Sequence, residues 1–188
     1  MVAEADTGRL EFVDERLFSI QSRFRDAFGW DEVDDRASAV ALVKAVEEVR
    51  IAAWSRAMRE ATLASLKGKL AAGQPTAVLG AAVEPVDVIS ALAAGCSLVA
   101  ADGGVGVIEE LPESVAAVAR QRLLLVVSDG DGGLDRLLTA AGRGVPFAVH
   151  AHGDNEQEWR TLLTAFADSA SPPPLRSPPG IEPDGGPC

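Results

Sequence analysis

The chain has 188 residues, of which 47% are hydrophobic and 24% charged, with no tyrosine, two cysteines and a formal net charge of -11. That length suits one packed domain with a helical appendage, while the charge disfavours phosphate backbones and anionic lipid as partners unless a cation intervenes. Cys96 and Cys188 make no disulfide framework, and no apolar run reaches the ~18 residues of a membrane span.

The acidic start "MVAEADTGRLE" lacks the charged-then-apolar pattern of a signal peptide, so a cytoplasmic location is expected. Residues 1–73 read as an α-helical region. In "LEFVDERLFSIQSRFRDAFGW" the residues Phe12, Leu17, Ile20, Phe24 and Phe28 recur at close to helical spacing. Helix is therefore expected from residue 9 to about residue 72, with a stop at Gly29, a cap at Asp31 and an end at Gly73 and Pro75. No motif in this third carries chemistry. Its Ala-rich helix with Trp54 leaves a homodimer surface open, although such a stripe serves equally as intramolecular core.

The pattern changes over residues 74–168. Short apolar runs, "TAVLG" (76–80), "SLVAA" (97–101), "LLLVV" (123–127) and "PFAVH" (146–150), alternate with stretches of helical composition. Non-alternating apolar strands separated by helices predict an α/β domain, a short parallel sheet with helices on both faces. Residues 169–188, "SASPPPLRSPPGIEPDGGPC", are expected to be a flexible tail, because proline removes backbone donors.

Ligands of open parallel sheets bind outside the carboxyl ends of the strands. Three of the four predicted ends are polar: "SLVAA" runs into Asp102–Gly104, "LLLVV" into "SDGDGG" (128–133), and "PFAV" into "HAHGDN" (150–155). Asp102, Asp129, Asp131 and Asp154 would thus gather beside His150 and His152, the only histidines in the chain. Clustered carboxylates repel one another unless a cation joins them. Oxygen ligands without cysteine select a hard ion such as Mg²⁺ or Mn²⁺. Carboxylate-bound Mg²⁺ commonly also holds phosphates, which points to phosphoryl or pyrophosphoryl transfer. Each piece has a plainer reading: Asp-Gly after a strand suits a turn or cap, and His150 suits a packed core position.

The succession "AADGG", "VVSDGDGG" and "VPFAVHAHGDN" resembles the archaeal 6-hydroxymethyl-7,8-dihydropterin pyrophosphokinase family, which is related in fold to thiamine pyrophosphokinases. The helical "FRDAFGWDEVDDRASAVAL" is similar to that family's N-terminal region. The likeness spans residues 15 to 165, with its specific motifs from 100 onward. It implies Mg²⁺-dependent transfer of pyrophosphate from ATP to a pterin alcohol, releasing AMP. The resemblance makes Asp129 and Asp131 the paired metal-binding aspartates, Asp102 the acid of the "ADG" motif, and Asp154 and Asn155 the end of the histidine motif. His150 and His152 would contact phosphate or orient the acids, and Gly80, Gly103 and Gly153 would let the nucleotide approach the backbone.

The family's turn after its first strand is only partly kept in "GAAVEP", and Gly130 stands where its paired aspartates flank a leucine. Its further strands and "GGFTDGD"-like motif have no counterpart beyond Asp184–Gly186. A diverged relative shortened at its C-terminus, with the sheet edge left open, is the expectation. Two alternatives stand beside it: a thiamine pyrophosphokinase-like enzyme, and a relative that binds nucleotide or metal without catalysis.

Overall fold

The computed structural model describes residues 2–4, 10–12, 32–48, 55–130, 133–167 and 175–177, and the isolated positions 19, 23, 26, 27 and 29. Strands β1 (Val2–Glu4) and β2 (Leu10–Phe12) pair antiparallel. The helix expected from residue 9 is therefore corrected at its start. In "LEF" the apolar residues stand two apart, the spacing of a strand, and the neighbouring β1 supplies a partner.

Helices α1 (Glu32–Glu48) and α2 (Arg56–Ala71) follow, the second capped by the Ser55 side chain, which accepts from the Met58 N–H. The α/β unit then runs β3 (Thr76–Leu79), α3 (Pro85–Ala93), β4 (Ser97–Ala101), a 3-10 segment (Asp102–Glu110), α4 (Glu113–Arg122), β5 (Leu123–Ser128), α5 (Leu134–Gly142), β6 (Phe147–His150) and α6 (Glu156–Ala167). The proline of "EPVD" occupies the first turn of α3, where its missing N–H costs nothing, and Glu84 and Asp87 bond reciprocally across that turn.

The strands form one parallel sheet in the order β3-β4-β5-β6-β7. The last strand, β7 (Leu175–Ser177), pairs with β6 and lies inside the stretch expected to be tail. The edge expected to be open beyond β6 is thus covered. The flanking prolines of "SPPPLRSPP" fall outside the three paired residues, and proline beside an edge strand removes no ladder bond.

Strand order and strand direction together explain the uneven burial of the sheet. Successive right-handed crossovers in one direction place their helices on one face. By register, Leu79, Leu98, Ala100, Val126, Phe147 and Val149 share a face, and all are buried in the main core. Val78, Val99, Leu125 and Val127 share the other, where Val78 is 70% exposed and the remaining three are half-buried. The core continues through Trp159, Leu162 and Phe166 of α6 to Leu42 and Val46 of α1. Among the described residues no helix is long and apolar enough to cross a membrane.

Candidate functional site at the carboxyl ends of β4, β5 and β6

Asp102 ends β4 and opens the 3-10 segment with φ 46, the only non-glycine residue with positive φ among those described. Aspartate tolerates this left-handed conformation better than most side chains. The segment lies hard against the end of β3: a Cβ on Gly104 would stand 2.5 Å from the Leu79 carbonyl oxygen. A glycine two residues after Asp102 is what lets the turn close there.

The Asp102 carboxylate accepts the Asp129 backbone N–H through Oδ1 at 3.1 Å. The buried Ser128 hydroxyl also bonds to Asp102, and Ser128 Oγ accepts the Gly130 N–H at 3.0 Å. Burial raises the Asp102 carboxyl above its ordinary range; the Ser128 bond partly offsets this, and the Asp129 charge adds to it.

From the end of β6, His152 reaches back towards β5. Its Nε2 lies 3.5 Å from Asp129 Oδ2, while its Nδ1 bonds to the Asp154 carboxylate. A neutral imidazole can donate to only one of these two acids. The half-buried His150 ring is tilted 45° to that of His152, with centroids 5.4 Å apart. The expected gathering of Asp102, Asp129, Asp154, His150 and His152 is therefore present. Asp131 lies outside the described residues.

Other expected contacts are already used by the protein itself. Asn155, 5% exposed, donates from Nδ2 to the carbonyls of Asp129 (3.1 Å) and His150 (2.9 Å), and accepts the His152 N–H at 2.9 Å. It clips the end of β5 to the end of β6. Gly153 gives its N–H to Asp35 Oδ1 of α1 at 2.9 Å, and a Cβ there would stand 2.7 Å from the Asp34 Cβ. The space beside Gly153 thus holds α1. Gly103 is half-buried in the 3-10 segment, and Gly80 has open space on its Cβ side.

Asp34, Asp35 and Ser38 were not singled out by sequence. Ser38 Oγ accepts the Trp159 indole N–H at 3.2 Å within the core, so α1 is fixed to α6 beside the "HAHGDN" turn. These contacts join residues more than a hundred positions apart, and no local pattern announces them.

Among the described residues no three His, Cys, Asp or Glu side chains converge to hold a metal ion. Mg²⁺ does not need three: one or two carboxylates suffice when substrate phosphates and waters complete its shell. Asp102 and Asp129 bring two carboxylates to this edge; burial first, and the Asp129 charge after it, raises the Asp102 carboxyl, and a cation would relieve only the second. The fold and this edge define a parallel-sheet α/β protein with an acid–histidine cluster at its strand ends. The chain matches no protein-family model and no curated protein.

Proposed function

We propose that the protein is a Mg²⁺-dependent pyrophosphokinase that transfers pyrophosphate from ATP to 6-hydroxymethyl-7,8-dihydropterin with release of AMP. The observation that carries this reading is the meeting of Asp102, Asp129 and His152 from three successive strand ends, at the edge where parallel sheets hold ligands. Asp102 and Asp129 would hold the ion, which supplies charge neutralisation on the phosphates. His152, which bonds to Asp154 and lies beside Asp129, would meet a phosphate oxygen in this reading. Little covalent chemistry falls to the protein in such a transfer, so placement of donor and acceptor carries most of the rate.

A second reading is favoured by the strand order. Nucleotide crevices of open α/β sheets lie where the order reverses, and β3 to β7 follow one another without reversal. That topology offers no switch-point crevice for an adenosine, so a relative that holds metal, or a nucleotide by its phosphates alone, without catalysis fits it. AMP release from ATP and Mg²⁺ separates the readings, with the pterin alcohol and thiamine each offered as acceptor. AMP formed only with the pterin supports the proposal; AMP formed only with thiamine moves the acceptor; ATP binding without AMP supports the second reading.

A further inference from the structure

A cavity of about 150 Å³ opens between the 3-10 segment, α4 and α5, and no residue of the strand-end cluster lines it. Val105, Ile108, Leu123 and Val145 give it apolar walls, and Arg120, Arg136 and Arg143 bring three guanidinium groups to it. In a chain of net charge -11, such a grouping calls for an account.

Two of the arginines are partly committed. Arg143 pairs with Glu109, and Arg120 bonds through its Nη atoms to Glu113 at 2.7 Å and Glu109 at 3.0 Å. Arg120 Nε is buried with no acceptor, closed off from any ligand in the cavity. Arg136 lies across the 3-10 backbone: a Cβ on Gly106 would stand 2.6 Å from its Cδ. Its guanidinium has no ion pair among the described residues.

We propose that this cavity binds a small organic monocarboxylate, its apolar body against Ile108, Leu123 and Val145 and its carboxylate taken by the exposed guanidinium of Arg136. Guanidinium matches carboxylate in planarity and charge. An apolar cavity of about 150 Å³ accommodates a benzene-sized body. The acids on the rim set the charge of the ligand. Glu109 is offset by Arg120 and Arg143, but Asp135 stands exposed at the mouth, so a dianion meets more repulsion than a monoanion.

The test uses benzoate as the probe, titrated into the full chain labelled with nitrogen-15 and followed by amide chemical shifts at low salt. Saturable one-site shifts centred on Gly106, Ile108 and Thr139 are expected. Arg136→Gln, at an exposed position, should weaken binding about tenfold, the loss of one charged hydrogen bond. Gly106→Ala should weaken it comparably by displacing the Arg136 side chain without removing its charge. Benzyl alcohol and inorganic phosphate, which lack the charge and the apolar body respectively, should each bind at least about tenfold more weakly. Absence of saturable shifts, equal binding of benzyl alcohol, tighter binding of phosphate, or an unchanged Arg136→Gln variant would each overturn the assignment. None of these outcomes depends on the nucleotide reading, because the lining residues are separate from the strand-end cluster.

Discussion

The backbone N–H of Asp129 donates to Oδ1 of Asp102 at 3.1 Å, and Asp102 turns into a left-handed conformation, φ 46, where it receives that bond. One carboxylate therefore both ends β4 and fastens the end of β5. It does so under strain of two kinds, the backbone conformation and a charge that burial disfavours.

Asp102→Asn separates stability from function. A carboxyl whose folded pKa is raised contributes stability below its unfolded value and loses it as pH rises through the folded value. Asparagine keeps an acceptor for the Asp129 N–H, suits positive φ and removes the charge. The variant is expected to match or exceed the wild type near pH 7, by under about 1 kcal/mol once solvent screening is allowed for, with the gain fading towards about pH 4. Under the proposed pyrophosphokinase function it should also lose Mg²⁺-dependent nucleotide binding. Urea denaturation at both pH values checks the first part; a loss of more than about 1 kcal/mol near pH 7 would refute the burial argument.

Asn155→Ala should cost about 2–4 kcal/mol, since it strands the Asp129 and His150 carbonyls and the His152 N–H at a buried position. Asn155→Asp should be no better, because a carboxylate would face two carbonyl oxygens. Denaturant midpoints at constant slope measure both changes. Retention of full stability by the alanine variant would show that the clip is dispensable.

Gly104→Ala tests the approach of the 3-10 segment to β3. The added carbon would meet two backbone carbonyl oxygens, of Leu79 at 2.5 Å and Gly80 at 2.8 Å, and neither can rotate away as a side chain would. Destabilisation above about 3 kcal/mol is expected. A melting temperature within a few degrees of wild type would contradict the close packing.

Glu109 gives a pH signature of opposite sign to that of Asp102. Its bond with Arg143 lowers the carboxyl from 4.5 to about 2, with Arg120 adding to the effect and burial opposing it. The stability this contributes is present above pH 4.5 and is lost as pH falls towards 2. The side chain is 40% exposed, so Glu109→Gln should cost about 1 kcal/mol at neutral pH. That deficit should shrink steadily below about pH 4.5 in paired urea titrations. A deficit independent of pH would remove the ion pairs from the explanation.

Strands β3 to β6 were legible because each is a short apolar run bounded by turn residues, as in "SLVAA" before "DGG". The convergence of Asp102, Asp129 and His152 followed from parallel topology alone, since every strand of such a sheet ends on the same edge. Local pattern failed where a partner strand decides the conformation. "LEF" reads as helix beside the residues that follow it, yet Leu10–Phe12 pairs with β1. "LRS" reads as coil among prolines, yet Leu175–Ser177 pairs with β6. Asp35 and Ser38 were invisible for a related reason: an acid and a serine on an exposed-looking helix become part of the site only through residues 118 and 121 positions away.

Within the parallel sheet each strand from β4 onward pairs with the strand immediately before it in the chain. The sheet can therefore grow in the order in which a ribosome delivers it, each crossover unit docking on a neighbour already in place. Asp102, Asp129 and His152 arrive with three consecutive additions, and the Asn155 clip can close only after the third. Until then the two carboxylates face each other without the histidine between Asp129 and Asp154. A nascent chain halted after β5 would thus carry Asp102 and Asp129 without His152 or the Asn155 clip.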